Sequence, residues 1–325
     1  MSMRVIELRQ LLQILTMFMI VQFAGLLLAA LLFNGATYQQ IASAQVVTGP
    51  NEAVLFIFYI IGVTAVMILV LKYYTSIYRL FEGFVIFFAS AIVFSIITAL
   101  FVSSTITLLG SQVQVSFVIG GALGLALVAA KNLRPNLRNL AAIIASIGVG
   151  VALGTGFSFL TAIVLMMILA AYDFIAVFVT KHMITLANMV QSQNLAFMVD
   201  VNEIEAMPKS RLSASELREY NKEVRMLKAK GKPMQKIAQK GFVPLVASVG
   251  LGTGDLAVPL MVAIAAYKVS LSFVLSFFVS FGAIIGLVLT MYILRRYRRA
   301  LPAIPPLLFG IGIGIGLYVL VYGIF

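Results

Sequence analysis

The 325-residue chain has no cysteine and a single histidine, His182. Without cysteine there is no structural disulfide and no thiolate zinc site. One histidine cannot form the His-Glu-x-x-His pair of a helical zinc hydrolase. No Gly-x-Ser-x-Gly-like element is present to offer it a serine nucleophile, and His182 itself reads as a solvated residue at a membrane margin. There is also no glycine loop followed by Lys-Ser/Thr, so ATP-driven transport has no visible engine. Charge is scarce: Asp, Glu, Lys and Arg make up 10% of the chain, hydrophobic residues 62%, and the mean hydropathy is +1.08. A soluble domain carries roughly 25% charged residues. This chain lacks the polar surface to cover itself in water and reads as an all-α, polytopic protein of the lipid bilayer.

What is abundant is long apolar sequence. A spanning helix needs about 20 mostly apolar residues, and nine such stretches follow one another: 11–33, 53–71, 84–108, 114–130, 139–157, 159–180, 242–267, 269–294 and 303–325. The fifth and sixth are divided at Gly154-Thr155-Gly156, the seventh and eighth at Lys268. The net charge of +12 need not mean nucleic acid, because membrane proteins retain Lys and Arg on cytoplasmic loops. With nine spans, every basic residue except Lys268 falls in the N-terminus or an even-numbered loop. That asymmetry predicts a cytoplasmic N-terminus, an external C-terminus and a retained first span. The expected location is a cell membrane, crossed several times. Three parts result: spans one to six over 1–180, a mobile cytoplasmic loop over 181–241, and spans seven to nine over 242–325. The loop is rich in both signs of charge, with Ser213–Lys230 at helical spacing as a surface helix.

Of eleven acidic residues, nine lie outside the apolar core or at its margin, Glu82 among them. Asp173 in the sixth span and Asp255 in the seventh do not. Each reads as lying well inside its helix with no cation in the segment core. A lone carboxylate at mid-bilayer costs about 2.5–3.5 kcal/mol even on lenient scales, and such a residue is a functional candidate by default. Neighbouring antiparallel helices can bring the two face to face in the cytoplasmic half. A close pair cannot both ionise in low dielectric, so one holds a proton while the other acts as a base. The glycines of Gly250-Leu251-Gly252-Thr253-Gly254-Asp255 allow close approach of backbone or substrate. The run Leu301-Pro302-Ala303-Ile304-Pro305-Pro306 predicts irregular, strand-like chain at the start of the ninth span. Chemistry alone leaves three readings open: proteolysis, a transporter's proton relay, and a buried structural pair.

Together these residues resemble the presenilin and signal peptide peptidase group of intramembrane aspartyl proteases. Its marks are Tyr-Asp in the sixth span, Gly-x-Gly-Asp in the seventh and Pro-Ala-Leu before the ninth. Here they read Tyr172-Asp173, Gly252-Thr253-Gly254-Asp255 and Pro302-Ala303-Ile304. Order, span count and the long intervening loop all match, and the compact loops look like those of a prokaryotic, archaeal homologue. Ile304 in place of Leu is a small apolar change. The resemblance implies an aspartic endopeptidase with Asp173 and Asp255 as catalytic residues. Tyr172, Gly252, Thr253, Gly254, Pro302, Ala303 and Ile304 are then expected around the substrate, which is a transmembrane segment of another protein.

Such a mechanism needs no metal and no cofactor, and nothing in the sequence calls for obligatory partner subunits. The alternative is a proton- or cation-coupled transporter using the two aspartates as its relay, although the inverted repeats common in that class are not visible. A binding protein with a vestigial site is a third reading.

Overall fold

The structure, a computed structural model, describes residues 8–34, 75–102, 104–108, 111–178, 196, 198–208, 242–297 and 302–323. Eight helices among these residues are long and apolar enough to cross a membrane. They are α1 (Leu8–Asn34), α2 (Thr75–Ala99), α3 (Val115–Leu133), α4 (Arg138–Gly156), α5 (Phe159–Phe178), α6 (Thr253–Ser270), α7 (Phe273–Tyr297) and α8 (Ile304–Tyr322). The expected span at 53–71, the surface helix at 213–230 and His182 lie outside the described residues.

Local chemistry accounts for most of the breaks. Pro135 forces the preceding Arg134 into extended geometry (φ −129°, ψ 99°), which ends α3. Between α4 and α5 the chain extends at Phe157. Ser158 then restarts the helix by accepting the Thr161 N–H through its hydroxyl at 3.2 Å, an N-cap two residues beyond the expected glycine break. The division between α6 and α7 falls at Leu271, in left-handed geometry (φ 47°). Lys268 is not the divider. It lies in the last turn of α6, where it donates to the Thr155 carbonyl at 2.9 Å.

Two hairpins correct the expectation of an all-helical chain. β1 (Thr105–Leu108) pairs with β2 (Ser111–Gln114) where the third span was expected to continue. The alternating Thr-Ile-Thr-Leu of β1 suits a strand better than a helix. The second hairpin joins β3 (Met198–Pro208) to β4 (Phe242–Gly252) in antiparallel register, from Met198 opposite Gly252 to Pro208 opposite Phe242. Residues 242–252 were expected to begin the seventh span, and 198–208 to be loop. The reason for the difference is compositional. The segment Phe-Val-Pro-Leu-Val-Ala-Ser-Val-Gly-Leu-Gly combines β-branched residues, a proline lacking an N–H donor and two glycines, all poor in a helix and tolerable in a two-stranded ribbon. A polar loop and an apolar run 34 residues apart meet only in three dimensions.

The core is organised around α6, in which Leu256 to Tyr267 are buried without interruption. A helix apolar on every side belongs at the centre of a bundle, and α1, α4, α5, α7 and α8 all pack on it. Beside it, α7 and α8 come into backbone contact through glycines. A Cβ added at Gly310 would lie 2.1 Å from the Gly282 carbonyl oxygen, and one at Gly314 would lie 2.1 Å from that of Phe278. This small-residue packing is a common means of holding membrane helices together where burial gives little drive.

Candidate active site

Asp173 stands near the end of α5 and Asp255 is the third residue of α6. Asp255 is therefore in the first turn of its helix, not well inside one. It is nonetheless deep in the bundle, because α6 begins there. The Ser146 hydroxyl donates to the Thr253 carbonyl at 3.3 Å, and Ser146 is about 12 Å along α4 from Arg138 at 1.5 Å per residue. On the other side, the buried Gln22 amide of α1 donates to the Leu256 carbonyl at 3.2 Å. That carbonyl follows the one left without its helical partner by Pro259. Two membrane helices thus grip the start of α6 on either side of Asp255.

Each carboxyl group is held by backbone N–H donors. Asp255 Oδ2 accepts the Gly252 N–H at 3.3 Å, the returning half of a capping box in which glycine contributes only its backbone. Asp173 Oδ2 accepts the Ile304 N–H at 3.2 Å, and the Ala303 N–H also reaches this carboxyl. The two aspartates lie within electrostatic range of each other. Among the described residues no Lys or Arg pairs with either.

The Asp173 contact explains the proline run. Helix α8 starts at Ile304 with Pro305 and Pro306 in its first turn, where proline is tolerated because first-turn N–H groups have no helical partner. Both prolines lack a donor, and the Leu307 N–H bonds to the Ala303 carbonyl. The start of α8 is left with the N–H groups of Ala303 and Ile304, and both point at Asp173. This corrects the expected strand-like chain: Ala303 has φ −87° and ψ −33°, in the helical region.

The other expected residues gather around the pair. Tyr172 is half-buried and within reach of the Asp173 charge. Pro302 and Ala303 are buried and Ile304 is half-buried. A Cβ at Gly252 would stand 3.1 Å from Asp255 Oδ2, whereas one at Gly254 would meet nothing within 4 Å. Gly252 therefore admits the carboxylate, and exposed Gly254 opens outward. Thr253 is fixed through its carbonyl by Ser146, and Leu251 is buried.

Three polar residues near this end were not singled out from the sequence: Gln22, Ser146 and Glu82. Glu82 is a correction, because it is 1% exposed inside the bundle and not at its margin. Its signal was an acidic side chain seven residues into a helix that starts at Thr75, nine residues before the expected span.

The family described as signal-peptide peptidase, presenilin aspartyl protease matches residues 15–324. The fold is similar to two solved structures of a presenilin family intramembrane aspartate protease. The one in space group C222 is 18% identical with a TM-score of 0.61, over 96% of this chain and 99% of that one. The one in space group P2 is 20% identical with a TM-score of 0.58, over 95% and 97%. No curated protein matches the sequence.

Proposed function

Because the chain belongs to the signal-peptide peptidase and presenilin family of aspartyl proteases, we propose that it hydrolyses peptide bonds inside transmembrane segments of other membrane proteins. The observation that carries this reading is the pair of carboxyl groups from α5 and α6, within range of each other and free of any cation among the described residues. One aspartate, as carboxylate, takes a proton from a water that attacks the scissile carbonyl carbon. The other, protonated, donates to the developing oxyanion. Collapse of the tetrahedral species breaks the C–N bond, and the amine leaves with a proton returned from the dyad.

A helical substrate hides its scissile carbonyl and must unwind locally. Strand β4 ends three residues before Asp255, and among the described residues it pairs along one edge, with β3. In this reading its other edge offers the N–H and C=O groups for an added substrate strand. Leu251, Gly252, Thr253 and Gly254 then line one side of the groove, and Pro302, Ala303 and Ile304 the other. Tyr172 adds a hydroxyl donor at the dyad. The proposed topology keeps nine spans, with 53–71 as the second, the N-terminus and both aspartates toward the cytoplasm and the C-terminus outside, on the charge asymmetry of the loops. No cofactor enters the scheme. Neither the family nor the fold similarity supports a transporter.

The test uses purified protein in liposomes with a labelled single-span substrate, comparing wild type with Asp173→Ala and Asp255→Ala by mass spectrometry of the products. Cuts inside the span that vanish in both variants are expected. Residual turnover in both would sink the dyad.

A further inference from the structure

The buried Glu82 carboxylate belongs to neither the dyad nor the groove, yet it collects groups from three other parts of the chain. It sits on α2, and Lys131 Nζ from α3 and the Ala196 backbone N–H both lie 2.5 Å from its Oε1. Arg138, the first residue of α4, is within its electrostatic reach. Glu82, Lys131 and Ala196 are 1%, 8% and 1% exposed. Inside a bundle, such a pair contributes little net stability, because the cost of desolvating two charges offsets their attraction. The contact with Ala196 has a different consequence.

Ala196 lies two residues before β3. Met198 is the register partner of Gly252, and its side chain packs over Gly250, where an added Cβ would lie 2.4 Å from its sulfur. Val199, 1% exposed, faces Leu251. Gly252 in turn gives its N–H to Asp255. A one-residue slip of β3 against β4 would turn every side chain of the ribbon to the opposite face, and a two-stranded ribbon alone is only marginally stable in water. The start of β3 therefore needs a fixed point.

We propose that Glu82 is a positioning residue for Asp255: anchored by Lys131, its carboxylate clamps the chain at Ala196 and so fixes the β3–β4 register that delivers Gly252 to the aspartate and sets the strand edge that meets substrate. The clamp's effect on cleavage rests on the proteolytic reading above; its effect on register does not.

Two double variants separate the clamp from the ion pair. Glu82→Gln/Lys131→Met and Glu82→Leu/Lys131→Met both remove the buried charges at similar volume, and only the first keeps an oxygen that can accept the Ala196 N–H. Because the chain has no cysteine, Val199→Cys with Leu251→Cys reports register by oxidative cross-linking in each background. Cleavage is measured separately in the backgrounds without the cysteines. The Gln variant is expected to cross-link like wild type and to cut the same bonds. The Leu variant is expected to cross-link poorly and to lose about 10²-fold in kcat with little change in KM, the scale of an ångström-sized misplacement. Its products should spread over neighbouring bonds. Equal cross-linking and equal product patterns in the two variants would overturn the proposal. So would a Leu variant that fails to fold beside a Gln variant that folds, since the oxygen would then serve folding and not register. A wild type that cross-links but never cuts would sink the proteolytic reading and leave the clamp standing.

Discussion

Two arrangements of carboxylate stand toward the same end of the bundle, Glu82 and Asp173 buried and Asp255 half-buried. Glu82 is met by an ammonium group, a backbone N–H and a nearby guanidinium. Asp173 and Asp255 are met by backbone N–H groups at helix starts and by each other. The first arrangement is neutralised, so the protein holds it as a fixed strut. The second places two acids where charge is costly and provides only neutral donors to share the load. Stability alone would favour giving each aspartate a cation or replacing both with apolar residues. In the proposed reading, a membrane protein that does neither keeps two carboxyl groups available for proton exchange.

The comparison breaks most sharply at the dyad. Asp173→Asn and Asp255→Asn keep an oxygen for the Ile304 and Gly252 N–H groups and remove the acid. Each is expected to lower kcat by about 10²–10⁴-fold, the contribution of a general acid or base. Thermal stability in detergent should stay at or above that of wild type. A large loss of melting temperature in either variant would mean that the aspartates are structural after all.

The neutralised pair should respond in the opposite way. Lys131→Met leaves Glu82 buried without its ammonium partner, which costs about 3–5 kcal/mol for a broken buried pair. The Glu82→Gln/Lys131→Met double variant should recover most of that stability. If the single variant melts like wild type, the pair is not a strut.

The smallest effect compares two glycines of one motif. Gly252→Ala would push a methyl group against Asp255 Oδ2, and Gly254→Ala would enter open space. The first is expected to lower kcat about ten-fold, equivalent to about 1.4 kcal/mol of barrier. The second should leave kcat unchanged and raise KM if substrate passes there. Equal kcat losses would argue that both glycines serve only the start of α6.

Much of this could be read from the sequence, unevenly. The break between α4 and α5 was visible because Gly154, Thr155 and Gly156 interrupt an apolar run too long for one span. The two aspartates stood out because carboxylates without cations are conspicuous in apolar sequence. Glu82 did not, because α2 begins well before its apolar run, so the residue looked peripheral. The β3–β4 hairpin was hidden for a related reason. Val199-Asp200-Val201-Asn202 does alternate, but its partner strand was absorbed into a neighbouring apolar stretch, and hydropathy does not distinguish a buried strand from a helix. The proline run was read as helix-breaking, whereas in the first turn it removes competing donors and leaves two for Asp173.

The amino-acid sequence by itself determined the membrane class, the large apolar spans and the identity of the two acids. These follow from the free energy of transferring each residue into hydrocarbon, a quantity that belongs to local composition. Only the tertiary structure decided which groups meet those acids and their surroundings: the Ile304 N–H 131 residues from Asp173, and Ser146 and Gln22 at the start of α6; it likewise decided that Glu82 meets Ala196 across 114 residues. Hydrogen bonds are short-ranged and directional, so their partners are fixed by where the packed helices place them, not by their separation along the chain.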